Sequence, residues 1–316
     1  MPKEKLAVVA VGGNALITSS EHKSLPDQRL ASREAMQHVV AMIEAGWTVV
    51  ITHGNGPQVG FLLRRAELAH DELPEIPLDV CGADTQGATG YLFASELNTE
   101  FHHRGLAKQC VALVTQTVVD RDDPAFGAPS KPIGSFMSEA EAAARRDRDG
   151  WDVVEDAGRG WRRVVASPQP QRIVELEAIR FLTDQGFIVV AAGGGGIPVA
   201  ETEDGQVVGV EAVIDKDLSS AVLARELDAE VLLISTAVEA VAVDFGKPSQ
   251  RWLGEITVAE ARQYLEQGQF GKGSMEPKVA AAVQYVEGGG TRAIITDPPN
   301  MVRALEGETG TTIIAG

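Results

Sequence analysis

Apolar residues along this chain fall into two patterns. Short, continuous, β-branched runs occupy residues 6–11, 48–52, 111–115, 188–192, 231–235, 293–296 and 311–314. Between them lie longer stretches in which apolar positions recur every three or four residues, at 28–45, 55–69, 84–104, 170–185, 217–227, 258–268 and 274–287. The first pattern is that of strands buried on both faces, and the second that of helices with one apolar stripe. Their alternation predicts an α/β fold with a mainly parallel sheet covered by helices on both sides.

Residues 118–168 break the rhythm. They are rich in Gly, Pro, Asp and Arg, as in Asp120-Arg121-Asp122-Asp123-Pro124 and Gly127-Ala128-Pro129-Ser130-Lys131-Pro132. Structureless loops of this length are uncommon in compact domains. The segment therefore predicts a small inserted subdomain, with a hairpin pairing residues 151–155 and 162–166 around Gly158 and Gly160. The bland alternative is a mobile surface excursion. No heptad array, internal repeat or low-complexity tract is evident.

The 316 residues suit one large domain or two lobes, and 44% hydrophobic with 23% charged residues marks a globular chain. A net charge of −17 excludes a general nucleic-acid binder and a protein that docks on anionic membranes, since both must present Lys and Arg to phosphates. A local lysine cluster in a pocket survives that objection. Cys81 and Cys110 are too few for a multi-cysteine zinc site or a disulfide scaffold. The first apolar run is six residues, too short for a signal-peptide core or a membrane span, so a cytoplasmic protein is expected.

Glycines cluster at the ends of three predicted strands: Gly12-Gly13-Asn14, His53-Gly54-Asn55-Gly56-Pro57-Gln58-Val59-Gly60, and residues 193–196. In open α/β sheets ligands sit beyond the carboxyl ends of strands, where glycine lets backbone N–H groups approach an anion. Three such loops predict one anionic site; the alternative is that each glycine only serves a tight turn. The Walker pattern fails, because Glu266 stands where the first glycine before Gly271-Lys272 should be. Residues 54–60 resemble a dinucleotide fingerprint with one extra residue, which keeps a nicotinamide dehydrogenase open as a minor reading.

Two lysines sit where helices should not want them. Asp215 is a predicted N-cap, and Lys216 follows it into a first turn whose end is already positive. Ser274 is a second predicted N-cap, Pro277 fits its first turn, and Lys278 lies one turn in. A third, Lys131, is held between Pro129 and Pro132, which restrict its backbone. Lysines so placed in an α/β frame suit phosphate ligands.

At these residues the chain resembles carbamate kinases. The ordered set is Gly12-Gly13-Asn14-Ala15, residues 53–60, Gln86-Gly87-Ala88-Thr89-Gly90-Tyr91, Lys131-Pro132-Ile133-Gly134, and residues 162–168, 193–199, 209–217 and 273–278. The resemblance implies the amino-acid kinase fold: a three-layer α/β/α sandwich with a mainly parallel open sheet and a small protruding subdomain. It implies an N-terminal lobe at 1–200 for carbamate or carbamoyl phosphate, including the protrusion at 118–168, and a nucleotide lobe at 201–316. The reaction implied is phosphoryl transfer between ATP and carbamate, giving ADP and carbamoyl phosphate, in a cytoplasmic homodimer that uses Mg2+ and serves arginine metabolism. No nucleic-acid or membrane partner is implied.

Carried over, Lys216 would contact the transferring phosphoryl group, Lys278 the nucleotide phosphates, and Lys131 the substrate, with Asp217 orienting the lysines. Gly12, Gly13, Asn14, Gly54, Asn55 and Gly56 would line the carbamate site. Asp215, Lys216, Thr236, Met275, Pro277 and Lys278 would hold the nucleotide, and no protein side chain is assigned to metal. Carbamate is already an anion, so no general base is needed and positioning carries the chemistry. His53 is therefore expected to be structural, and Gln86 and Tyr91 to serve packing or subunit contact.

One segment departs from the family pattern. Relatives usually read Thr-Asp-Val there, with a Tyr after the second Val; here Ala237 and Ala242 replace that Asp and Tyr. The expected consequence is weaker adenine contact. It leaves open a catalytically weakened paralogue that binds nucleotide or carbamoyl phosphate, beside a kinase forming another acyl phosphate.

Overall fold

The computed structural model describes residues 5–13, 16–17, 22–156 and 158–316. All seven apolar runs form strands of one eight-stranded sheet. Its order is Glu255–Thr257, Thr311–Ile314, Arg292–Thr296, Val231–Ser235, Lys5–Val11, Trp47–His53, Ile188–Val190 and Cys110–Ala112. Six strands are parallel; Thr311–Ile314 runs against Arg292–Thr296 and alongside Glu255–Thr257.

The period-2 alternation of strand side chains divides the core. Val8 and Ala10 point into one apolar layer with Ile179, Ala221, Ala261 and Ala281 from helices on that side. Ala7, Val9 and Val11 point into the other, with Met36, Val39, Leu92 and Phe93 from the long helices Leu25–Glu44 and Leu78–Arg104. The result is the three-layer sandwich expected from the sequence.

Residues 170–185 are not one helix. Pro170–Ile173 is a strand, and the helix begins only at Leu176. The strand lies at one edge of a second sheet, ordered Val207–Gly209, Ile197–Glu201, Gln116–Val119, Pro170–Ile173. A proline lacks the N–H that an interior strand must donate, so an edge accommodates it, and Ile173 is buried in the core.

From this second sheet the irregular segment projects as a folded unit. Strands Lys131–Met137, Trp161–Val165 and Asp152–Glu155 form an antiparallel sheet, with helix Glu139–Asp149 beside it. The expected hairpin is present, with Asp152 opposite Val164 and Glu155 opposite Trp161. Gly160 at its turn adopts φ +124°, and a Cβ there would lie 3.0 Å from the Met137 carbonyl oxygen. Val118 and Val119, placed by sequence in the insert, belong instead to the second sheet.

Candidate functional site

The three glycine loops meet. Gly54 donates its N–H to the Val11 carbonyl at 3.0 Å. A Cβ on Gly54 would lie 2.9 Å from the backbone nitrogen of Gly13, so the first two loops touch backbone to backbone. The third loop closes over their side chains: a Cβ on Gly193 would lie 2.3 Å from His53 Nε2, and one on Gly194 2.2 Å from Asn55 Nδ2. Asn55 Nδ2 donates to Thr85 Oγ1 at 2.8 Å. Gln86 fastens the third loop from below, donating to the Gly193 and Thr115 carbonyls at 3.0 Å each and accepting from the Thr115 N–H. Asn14 and Ala15, expected beside Gly13, lie outside the described residues.

His53 is fully enclosed. Its Nδ1 lies 3.2 Å from the Gly54 carbonyl oxygen, which can only accept, so Nδ1 carries the proton. Its ring stands edge-on to Phe93 at 5.7 Å. Burial pushes its pKa down to about 4, against the pull of the Gly54 carbonyl and helped by the charge of Lys216. A neutral imidazole wedged between loops supports their packing. Tyr91, by contrast, is exposed, and its hydroxyl accepts from Arg29 at 2.9 Å.

Next to these loops begins the helix Lys216–Glu226. Asp215 caps it, accepting from the backbone N–H of Asp217 at 2.9 Å and of Leu218. The next two residues make the centre of the site. Lys216 Nζ pairs with Asp217 Oδ1, and Lys278 Nζ with Asp217 Oδ2 at 2.9 Å. Burial pushes the Asp217 carboxyl up, but its two ammonium partners outweigh this and hold it at about 2. Burial lowers the pKa of Lys216, and the neighbouring Lys278 adds to this while Asp217 opposes it. Two ammonium groups on one carboxylate leave a net positive charge in a low-dielectric place, which favours an incoming anion.

Lys278 arrives on helix Glu276–Glu287, whose start departs from expectation. Met275, not Ser274, precedes it, with no side-chain cap; the Ser274 hydroxyl instead donates to the Gly271 carbonyl at 3.1 Å. The preceding Gly271–Ser274 turn uses that hydroxyl before the helix can. Pro277 occupies the first turn, where its missing N–H costs nothing. Lys131 reaches the same region from the inserted subdomain: its Nζ lies 2.9 Å from Asp215 Oδ2. Of the four residues assigned to catalysis, Lys216, Asp217 and Lys278 are thus in direct contact, and Lys131 joins them through Asp215, the neighbour of Lys216 in the chain.

A cavity of about 720 Å3 opens from this point. Gly12, Gly13, Lys216, Thr236, Met275 and Lys278 line it, whereas Asp215, Pro277, Gly54, Asn55 and Gly56 sit to the side. Its lining also includes the apolar Ala237, Ala240 and Ala242. Sequence reading missed Phe245, Trp252 and Phe270 in its wall. Phe245 and Trp252 are well exposed and meet edge-to-face at 6.5 Å. Solvent-facing aromatics near a departure from the family pattern were the available signal. A cavity of this size, lined by two lysines and by apolar and aromatic side chains, fits a nucleotide with its phosphates on the lysines.

The carboxylates here do not form a cation cage. Asp215 and Asp217 are both engaged by ammonium groups, and among the described residues no cluster of three His, Cys, Asp or Glu side chains could hold a metal. The residues fit a Mg2+ that arrives on nucleotide phosphates, as that ion prefers, rather than one held by protein alone.

Residues 5–297 match the amino acid kinase family. The chain is 49% identical to the carbamate kinase-like protein YahI of Escherichia coli (strain K12), with 98% of this chain and 99% of the relative aligned. It is 47% identical to the carbamate kinase of Thermococcus kodakarensis over the same shares. The structure of carbamate kinase from Giardia lamblia bound to AMP-PNP superposes with a TM-score of 0.94 at 40% identity, covering both chains completely.

Proposed function

The chain belongs to the amino acid kinase family, and from that membership we propose that it is a carbamate kinase, moving a phosphoryl group reversibly between ATP and carbamate. The observation that carries the reading is the convergence of two largely buried ammonium groups in the wall of a nucleotide-sized cavity, Lys216 and Lys278, on the single buried carboxylate of Asp217.

The mechanism follows from that arrangement. A carboxylate oxygen of carbamate attacks the γ-phosphorus, and the bond to the β,γ-bridging oxygen breaks, leaving its electron pair on ADP. No proton moves, so no side chain has to act as base. Lys216, closest to the glycine loops, meets the equatorial oxygens of the migrating group. Lys278 meets the nucleotide phosphates. Asp217 fixes both ammonium groups before the substrates arrive, so little reorganisation is needed as charge shifts. The backbone amides of Gly12 and Gly13 would face the acceptor, with Gly54, whose own N–H is given to the Val11 carbonyl, packed against Gly13, and Lys131 would close from the insert. Mg2+ bound to the phosphates supplies further charge neutralisation.

Residues 1–200 would then carry the acceptor side and 201–316 the nucleotide side. The resemblance to carbamate kinases supports a cytoplasmic homodimer acting in arginine metabolism. Ala237 and Ala242 favour a second reading, a weakened paralogue that binds nucleotide without efficient turnover. Purified protein supplied with ADP, Mg2+ and carbamoyl phosphate decides: ATP formation is expected, and ADP binding without ATP formation would establish the second reading.

A further inference from the structure

Asp215 does two jobs with two oxygens. Oδ1 accepts from the backbone N–H of Asp217 and Leu218 and so caps the helix; Oδ2 accepts from Lys131 Nζ at 2.9 Å. The two partners lie on separate elements, since Lys131 opens the first strand of the inserted three-stranded sheet and Asp215 precedes the helix Lys216–Glu226. It sits between Pro129 and Pro132, so its backbone has little freedom to wander.

Two other contacts bind the insert to the residues just before Asp215. Arg163 pairs with Glu211, and the Val213 N–H donates to the Ala166 carbonyl at 3.0 Å. The first joins the middle of the insert's strand 161–165, and the second the residue just after it, to the segment 211–213. The Asp215 pair is the only one of the three that ends on a residue adjoining Lys216. An ammonium has three donors, and Asp215 takes one of them, which leaves two free to face an anion.

We propose that Asp215 is a positioning residue that holds Lys131, and with it the inserted subdomain, over the acceptor site before substrate binds, rather than a ligand of the nucleotide. This rests on the kinase reading above. The cavity supports it, because Asp215 is not in its wall while Lys216 and Lys278 are. The helix cap and the latch share one carboxylate, so the start of the catalytic helix and the reach of the insert are set together.

The test uses wild type, Asp215→Asn, Lys131→Gln and the double variant. Asparagine keeps the helix cap and removes the charge. Hydrogen exchange in the ligand-free protein is read for peptides covering 131–137 and 161–165, and for helix 216–226. Asp215→Asn is expected to speed exchange in the two insert peptides about fivefold, the scale of a partly exposed ion pair, and to leave the helix unchanged. KM for carbamoyl phosphate should rise by about the same factor with kcat nearly constant, and the change should vanish in the Lys131→Gln background. Unchanged insert exchange, faster exchange in the helix, or an equal kinetic loss in both backgrounds would overturn the proposal. A wild type that makes no ATP would instead sink the kinase reading, while the exchange comparison still decides the latch.

Discussion

The Nζ of Lys278 lies 2.9 Å from Oδ2 of Asp217, a residue 61 positions earlier in the chain. Lys216, beside Asp217 in sequence, holds the other oxygen. A carboxylate that is only 3% exposed is thus fully used in gathering two like charges from two helices. Coulomb repulsion alone would separate them, so the anion between them sets how far apart they stand.

Lys216→Ala should lower turnover by about 10²–10³, the cost of losing one preorganised donor in a dry site. Lys216→Arg should not restore it, because a planar fork does not fit where a compact ammonium does. Steady-state ATP formation by the folded variants checks both, and near-normal turnover in Lys216→Ala would remove this lysine from the mechanism.

Asp217→Asn should destabilise the protein by roughly 3–5 kcal/mol, since it strands two buried ammonium groups. The pH signature has a definite sign. A carboxyl lowered from 3.8 to about 2 contributes stability above its unfolded value and loses it as pH falls through the folded one. Urea unfolding between pH 4 and 2 should therefore show a loss on the order of 2 kcal/mol in wild type that is missing in the variant.

His53 should act at higher pH with the same sign. Its folded pKa of about 4 lies below the ordinary 6.5, so between these values the unfolded chain binds the extra proton. Stability should hold above pH 6.5 and fall as the pH drops toward 4, by roughly 2–4 kcal/mol. His53→Gln should flatten that slope in denaturant titrations. A bell-shaped rate profile that follows His53 would show instead that the ring takes part in chemistry.

Gly54→Ala should damage catalysis more than folding. The new Cβ would press within 2.9 Å of the Gly13 backbone nitrogen, and backbone cannot swing aside as a side chain can. Prying the two loops apart should reduce kcat/KM by about 10²-fold, because reacting groups tolerate little misplacement. The cost in stability should stay near 1–3 kcal/mol, measurable by thermal unfolding.

The apolar lining of the cavity should answer to aromatic substitutions. Ala242→Tyr is expected to tighten ADP binding by about 0.5–1.5 kcal/mol, and Trp252→Ala to weaken it by a similar amount. Calorimetry gives both values. No change from either would place the base elsewhere.

Sequence alone determined the layers of this protein. A parallel strand buried on both faces must be apolar throughout, so Val231–Ser235 and its neighbours are legible without any partner in view. The Asp215 cap was legible too, since a cap bonds only to backbone two and three residues on. Tertiary structure decided the rest. Pro170–Ile173 became a strand because an open sheet edge lay beside it, overriding a helical periodicity. Ser274 gave its hydroxyl to a turn. Which lysine would share which carboxylate depended on helices separated by many residues of chain, and no local pattern records such a distance. Local rules govern bonds between neighbours in sequence, whereas the charged centre exists only once folding has brought strangers together and excluded the water that would have kept them apart.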